Sequence, residues 1–407
     1  MKRVLIVAAR RTPLGRMGGP LARVTPLVMA ATAARASLDS VPPEAVDLTV
    51  LGNVYSAGHG MNLARQVAVQ VGVPLTAPAY TVNLMCGSGM HAVALGAQAI
   101  RTGEVKVALV GGVESMSLAP FALPRPPKGQ PLNPESALDT LPHDGLLDSF
   151  SQQHMGQTAE TLAREFQLTR VEQDAFAVRS QFLYAAAHSR GEFHDELVPL
   201  AGLTEDEPPR PNVTQLGLAH LHPVFDSAGT ITAGNSSGLA NGAAMLVLAE
   251  EQHARQQGWP ILAEWKDCVT VGCDPQRMGL GPVHAIRELF RRQQISWREI
   301  DTLEINEAFA AQVLACLRQL ELRFDPVDSL HPLISHHGSS IRFNAEGGAI
   351  ALGHPLAASG ARLLTHLAWK ISRGESQRAV AALCIGGGMG IASVLAARKG
   401  EEQRPLI

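Results

Sequence analysis

At 407 residues the chain is too long for one small core, and its length suggests roughly two to three domains. Hydrophobic residues make up 46% and charged residues 17%, with 38 Gly and 26 Pro, which excludes a disordered chain and describes a packed protein with many turns. A formal net charge of -3 without any Lys/Arg-rich run lacks the footprint of a nucleic-acid binder.

The first predicted element is the apolar run Val4 to Ala9, read as a buried strand ending at the turn Thr12-Pro13. It is too short for a signal peptide's apolar region and far too short to cross a membrane, so no membrane association is expected. Cys86, Cys268, Cys273, Cys316 and Cys384 are odd in number and form no paired motif. That usage points to a reducing compartment, with the cytoplasm as the default.

Further along, three elements recur in the same order. A strand within Ala45 to Asn53 is echoed by Glu299 to Asn306. The glycine-flanked Cys86, opening a helix over His91 to Arg101, is echoed by Gly353-His354-Pro355, opening one over Leu356 to Lys370. Each helix is followed by an apolar strand running into glycines, Val105 to Gly112 and Ala379 to Gly388. This order argues for two copies of one α/β unit. Residues 1–116 and 231–250 form the first half and 251–407 the second. The Pro-rich stretch 117–230 is read as an inserted loop domain, carrying an amphipathic helix over Val171 to His188. A further loop-like segment, Phe324 to Arg342, contains Pro326, Pro332, Gly338 and the pair His336-His337.

Several positions suit chemistry. Cys86 precedes a helix, whose N-terminal N–H groups and dipole favour a thiolate. A buried small hydrophobe is the plainer reading. His354, beside a helix-starting Pro, is expected near the N-terminal cap, where the dipole disfavours imidazolium and leaves a neutral base. Taken alone, an ordinary capping residue is the stronger reading. Cys384 ends a strand before Gly386-Gly387-Gly388, at the strand end where α/β active sites collect. Asn306 to Phe309 follow another strand and say little unaided. There is no P-loop, no G-x-S-x-G elbow and no H-E-x-x-H. Cys268 and Cys273 are poor joint ligands, their odd spacing turning them to opposite strand faces. His331, His336 and His337 read better as a solvated loop than as a metal site, so no metal is expected.

Taken together, these segments resemble the thiolase family over nearly the whole chain. The resemblance rests on Arg11-Thr12-Pro13, Cys86 to Met90, Gly111 to Ser117 and His154-Met155-Gly156 with Thr158 to Glu160. It extends through Thr232 to Gly238, Asn306 to Phe309, Gly347 to Pro355 and Cys384 to Gly388. It implies duplicated α/β domains in five layers, α-β-α-β-α, with an inserted loop domain. It also implies an acyl-CoA:acetyl-CoA acyltransferase working by ping-pong Claisen condensation or thiolysis, with a place in fatty-acid metabolism and β-oxidation. By that resemblance His354 takes the proton of Cys86, Cys86 carries the acyl group, and Cys384 exchanges a proton with the alpha carbon of acetyl-CoA. One oxyanion hole would use His354 and a water on Asn306; the other would use the N–H groups of Cys86 and Gly386. Contacts to coenzyme A or substrate carry over to Leu146, His154, Met155, Arg210, Ala233, Ser237, Met278 and Phe309. Coenzyme A would come and go as cosubstrate, with no permanent cofactor, in a homodimer or homotetramer.

The chain departs from the pattern at Ala240, Ala345-Glu346 and Ala357, and in the added loop Phe324 to Arg342. Glu346 and that loop are expected near the pocket mouth. Two other readings compete: a ketoacyl synthase relative and a non-catalytic acyl-CoA- or lipid-binding relative. The first would carry two histidines where Asn306 and Cys384 stand, and the second would lack part of Cys86, His354 and Cys384.

Overall fold

The computed structural model describes residues 1–324 and 330–398; Pro326 of the added loop lies outside them. The main strands are β1 (Val4–Arg11), β2 (Leu48–Gly52), β3 (Ala79–Val82), β4 (Val107–Ser115), β5 (Ala240–Glu250) and β6 (Ala263–Gly272). They continue with β7 (Thr302–Ile305), β8 (Leu333–His336), β9 (Ser339–Phe343), β10 (Arg378–Ile385) and β11 (Met389–Ala396). The main helices are α1 (Pro26–Ser37), α2 (Leu63–Gln70), α3 (Ser88–Thr102) and α4 (Met155–Glu165). After them come α5 (Arg170–Ser189), α6 (Gly281–Gln293), α7 (Ala310–Gln319) and α8 (Leu356–Ser372).

The strands join in one 12-stranded mixed sheet, eleven of them in the order β8-β9-β7-β10-β11-β6-β1-β5-β4-β2-β3, with the short strand Gly15–Arg16 pairing beside β5 off this path. This order is a mirror about the β6–β1 junction: β3-β2-β4-β5-β1 on one side matches β9-β7-β10-β11-β6 on the other. Pairing directions match too, with β2 parallel to β3 and β4, β7 parallel to β9 and β10, and β4/β5 and β10/β11 antiparallel. Among the described strands, β8 and the short Gly15–Arg16 strand have no counterpart, and β8 belongs to the segment read as an added loop. That segment is therefore a hairpin, with β8 and β9 joined at His337-Gly338.

Period-two alternation explains the layering. On β5, Ala244, Leu246 and Leu248 face one core while Ala243, Met245 and Val247 face another. On β10, Ala379, Ala381, Leu383 and Ile385 join that first core, whereas Val380, Ala382 and Cys384 face a third. The shared core is filled by α3 and α8, through Ala92, Val93, Leu363, Leu364 and Leu367. Outside lie α1 and α2 on one half, and α6 and α7 on the other. The layers are thus helix, sheet, helix, sheet, helix. The two central helices meet at small residues: a Cβ on Gly89 would stand 2.4 Å from the Ala357 carbonyl oxygen, so only Gly allows the approach.

Between β4 and β5 lies more regular structure than the Pro-rich composition suggests. Helix α5 covers the predicted Val171–His188 span, but α4 was not foreseen. Its buried Met155, Thr158, Ala159, Leu162 and Ala163 keep helical spacing, and His154 with Gln157 forms a capping box.

A buried ionic cluster ties this inserted region to both halves. Arg11 at the end of β1 pairs with Glu196 at 2.7 Å and with Asp206 at 2.6 Å. His366 on α8 lies between Glu196 at 3.1 Å and Glu346 at 3.3 Å, and Lys370 meets Glu346 at 2.5 Å. Glu346, the departure from the family pattern, is thus a partner for two buried cations. Among the described residues no helix is long and apolar enough to cross a membrane.

Candidate active site

Cys86 is presented by a tight turn between β3 and α3. Met85 has φ +48, a left-handed conformation that costs a non-glycine residue free energy and must be held by its surroundings. Buried Ser88 does much of the holding: its Oγ donates to the Met85 carbonyl at 2.6 Å and accepts from the Leu84 N–H at 2.8 Å. Asn83 Oδ1 accepts from the Met85 N–H at 2.9 Å.

His354 is buried and stands before α8, whose cap is Pro355, so the histidine lies one residue outside the expected cap position. Its Nδ1 is 2.6 Å from Ser359 Oγ, and Ser359 in turn donates to the Pro355 carbonyl at 3.2 Å. Since the hydroxyl spends its proton on that carbonyl, the imidazole must supply the other: Nδ1 carries hydrogen and Nε2 a lone pair. Nε2 is buried and has no partner among the described residues. Burial, and secondarily the positive charge of Arg362, push the His354 pKa down to about 3. An uncharged imidazole is what the site contains.

The preformed thiolate is not. Burial pushes the Cys86 thiol up to about 11, against the backbone N–H groups of Gly386 and Cys86, which favour the charged form. Desolvation outweighs those two donors, and the resting pair is a neutral thiol with a neutral imidazole. Cys384 is buried near the end of β10 at 2% exposure, and burial, with Cys86 nearby, raises its thiol well above the ordinary value. The turn after it needs glycine: Gly387 and Gly388 both have φ +83, and a Cβ on Gly388 would lie 2.5 Å from the Cys273 carbonyl oxygen.

These groups surround one cavity of about 510 Å³, lined by Cys86, His354, Cys384 and Gly386. Leu146, His154, Met155, Arg210, Ala233, Ser237, Met278 and Phe309 line it as well. Asn306 does not line it directly. It is buried just past β7, and both its amide oxygen and amide nitrogen lack a partner among the described residues. Such a group is costly unless something else fills its bonds. Glu307, next to it, accepts from Ser180 Oγ at 2.6 Å, from Asn344 Nδ2 at 2.9 Å and from the Ile350 N–H at 3.1 Å. It thereby ties the Asn306 loop to α5 and to the segment leading to His354.

Sequence reasoning missed several lining residues, among them Met116, Val224, Phe225, Ser236 and Leu239. Phe225 stacks on His154 with ring centroids 4.6 Å apart. Arg16 is another omission: with Arg210 it lines a side pocket sharing Ala233, Ser236 and Leu239 with the main cavity. Met116 and Ser236 stand in the Gly111 to Ser117 and Thr232 to Gly238 segments, whereas Val224, Phe225, Leu239 and Arg16 stand in no motif and reach the site by folding from elsewhere. Conversely, neither Glu346 nor any described residue of the added hairpin lines the cavity, which corrects their expected location at its mouth. The physical reason is charge: Glu346 turns toward His366 and Lys370.

Comparison with known proteins agrees with this arrangement. The family described as Thiolase, N-terminal domain matches residues 4–252, and Thiolase, C-terminal domain matches 259–397. An acetyl-CoA acetyltransferase of Chromobacterium violaceum is 42% identical over 400 residues, covering 96% of this chain and 98% of the relative. One from Pseudomonas aeruginosa is 42% identical over 407 residues, covering 97% of this chain and 100% of the relative. The crystal structure of human mitochondrial 3-ketoacyl-CoA thiolase in complex with CoA superposes with a TM-score of 0.89 at 38% identity, covering 98% of each chain. The chain belongs to the thiolase family of acyltransferases.

Proposed function

We propose that the protein catalyses reversible Claisen condensation and thiolysis of 3-ketoacyl-CoA through an acyl group carried on Cys86. The observation that carries this reading is the convergence of Cys86, His354 with its bare Nε2, and Cys384 on one cavity. His354 Nε2 accepts the Cys86 proton as sulfur attacks the acyl-CoA carbonyl, and returns it to the departing CoA thiolate. A thiol near 11 beside a base near 3 makes resting proton transfer unfavourable, so transfer accompanies attack rather than preceding it.

In the second half-reaction Cys384, its own proton passed to neutral His354, takes a proton from the alpha carbon of acetyl-CoA; the carbanion attacks the acyl group on Cys86, and His354 returns its proton to the Cys86 sulfur as it leaves. In thiolysis Cys384 gives that proton back to the acetyl-CoA enolate. The N–H groups of Cys86 and Gly386, which already favour charge at the Cys86 sulfur, suit a tetrahedral oxyanion there. A water on the unpartnered Asn306 amide, with His354 Nε2 when protonated, suits the enolate oxygen.

Coenzyme A acts as cosubstrate in this reading. Leu146, Met155, Met278 and Phe309 offer apolar wall, and Arg210 with Arg16 offers cations for its phosphates. The mirrored strand order supports a division into halves 1–116 with 231–250 and 251–407, around the loop domain 117–230. A homo-oligomer is supported by the open edge strand β3 and the exposed Leu75 and Tyr80 beside it. A reducing compartment, the cytoplasm, suits five free cysteines of which two are catalytic.

The test is CoA-dependent loss of absorbance of 3-ketoacyl-CoA substrates of increasing chain length, with wild type and Cys86→Ala. Cleavage that disappears in the variant supports the reading, and the chain-length profile defines the acyl group. No cleavage at any length by folded wild type overturns it in favour of an acyl-CoA-binding relative.

A further inference from the structure

The hairpin β8–β9, whose outer strand β8 has no mirror counterpart, carries a group of side chains that the acyltransferase chemistry does not use. Its two-residue turn is His337-Gly338, with φ +44 and +88, so both central residues are left-handed, as in a type I′ turn. Asn or Gly is the low-cost residue at the first of these positions. The turn has a geometric consequence for its histidine. In a straight strand, consecutive side chains at 336 and 337 would diverge to opposite faces. Here their rings are 4.4 Å apart between centroids, edge to face.

A third group arrives from α7. Glu321, just past that helix, also has a positive φ, +57, and directs its carboxylate toward the turn. His337 Nε2 lies 3.4 Å from Glu321 Oε2. One ligand atom from each of Glu321, His336 and His337 falls within 4.8 Å of the other two.

We propose that Glu321, His336 and His337 form a surface site for one Zn²⁺ ion per chain, which fastens the added hairpin to the end of α7. Distances and donor chemistry both favour it. Zinc bonds of about 2.0–2.1 Å in tetrahedral geometry set ligand atoms about 3.4 Å apart, the spacing the His337–Glu321 pair already has. Closing the wider separations takes rotamer adjustment of side chains that are largely exposed at Glu321 and His337. Two imidazoles and a carboxylate suit a borderline cation; Ca²⁺ and Mg²⁺ would need more oxygen ligands than this group has. Water would complete the coordination.

The hairpin has reason to need a fastening. Its β9 joins the main sheet through two register pairs only, Thr302–Arg342 and Leu303–Phe343. The next residue is Asn344, which hydrogen-bonds Glu307 beside Asn306. The ion would therefore steady the outer end of a hairpin whose inner end supports the catalytic cavity, without touching substrate.

The experiment is calorimetric titration of ZnCl₂ into full-length protein, stripped with chelator and alkylated at Cys86 so that the reactive thiol cannot contribute. Wild type should take up one equivalent that His336→Ala/His337→Ala lacks, and Glu321→Gln should bind about tenfold or more weakly. Zinc should also raise the melting temperature of wild type and leave that of the double-histidine variant unchanged. Circular dichroism confirms that the variants are folded. Equal stoichiometry and affinity in the double-histidine variant, an unchanged affinity in Glu321→Gln, or no uptake by wild type would each overturn the assignment.

Discussion

His354 Nδ1 sits 2.6 Å from Ser359 Oγ, five residues on along the same helix start, and this contact decides which imidazole nitrogen is basic. The serine proton is committed to the Pro355 carbonyl, so Nε2 keeps the lone pair that faces the chemistry. Ser359→Ala removes the constraint while leaving every other cavity residue in place. We expect kcat to fall about tenfold or more with KM little changed, since general-base catalysis is worth about 10²–10⁴-fold and this residue only positions the base. Steady-state kinetics of thiolysis decide it; a proportional rise in KM at constant kcat would assign the serine to binding instead.

The two catalytic thiols should separate by half-reaction. Cys86→Ser should give no labelled protein with radiolabelled acyl-CoA, whereas Cys384→Ala should take up label and fail to condense. Acid-quenched labelling measures the first step and acetoacetyl-CoA formation the second. Condensation by Cys384→Ala at near wild-type rate would remove Cys384 from the mechanism.

Thiol alkylation should report the resting protonation state. Burial holds Cys86 up at about 11 and His354 down at about 3, so neither group changes charge between those values. The iodoacetamide inactivation rate should then climb about tenfold per pH unit through neutral and alkaline pH, following the thiolate fraction. A plateau between pH 5 and 8 would reveal a preformed thiolate–imidazolium pair.

Stability should depend on the buried cluster around His366. Burial alone would lower its pKa, but Glu196 and Glu346 raise it to about 9. A raised histidine pKa contributes stability that is complete below the unfolded value, about 6.5, and is lost as pH rises through about 9. Glu196 and Glu346 are themselves held down near 2: burial opposes this, but Arg11 with His366, and His366 with Lys370, prevail. Their contribution is present above the unfolded carboxylate value and fades as pH falls through about 2. Thermal melts should accordingly show decreasing Tm from pH 7 to 9. Glu346→Ala should flatten that decline and cost about 1.5–3 kcal/mol at neutral pH, because it takes one of two carboxylate partners from each of buried Lys370 and His366. An unchanged pH slope in the variant would count against the cluster as its source.

Some of the site was legible because its chemistry is written in short local segments. Cys86, His354 and Cys384 each adjoin glycine or proline at an element end, where backbone rules leave visible marks. Helix α4 was overlooked although Met155, Thr158, Ala159 and Leu162 carry the helical period, because the surrounding Pro-rich composition suggested loop. Phe225, Arg16 and Ser359 left no such mark. Their roles follow from what they touch, and those neighbours are distant in the chain for Phe225 and Arg16.

The sequence by itself determined the duplicated α/β pattern, the identity of the three reactive side chains and the family resemblance, since periodicity and motif spacing are local properties. Only the tertiary structure decided their protonation states. A helix terminus read from sequence favours a Cys86 thiolate, but folding half-buries the residue in the cavity, and desolvation outweighs the Gly386 and Cys86 N–H donors. Folding likewise turned Glu346 away from the cavity and into a cluster with His366 and Lys370. A buried charge is stable only beside partners, and which partners lie within reach is fixed by how distant segments pack.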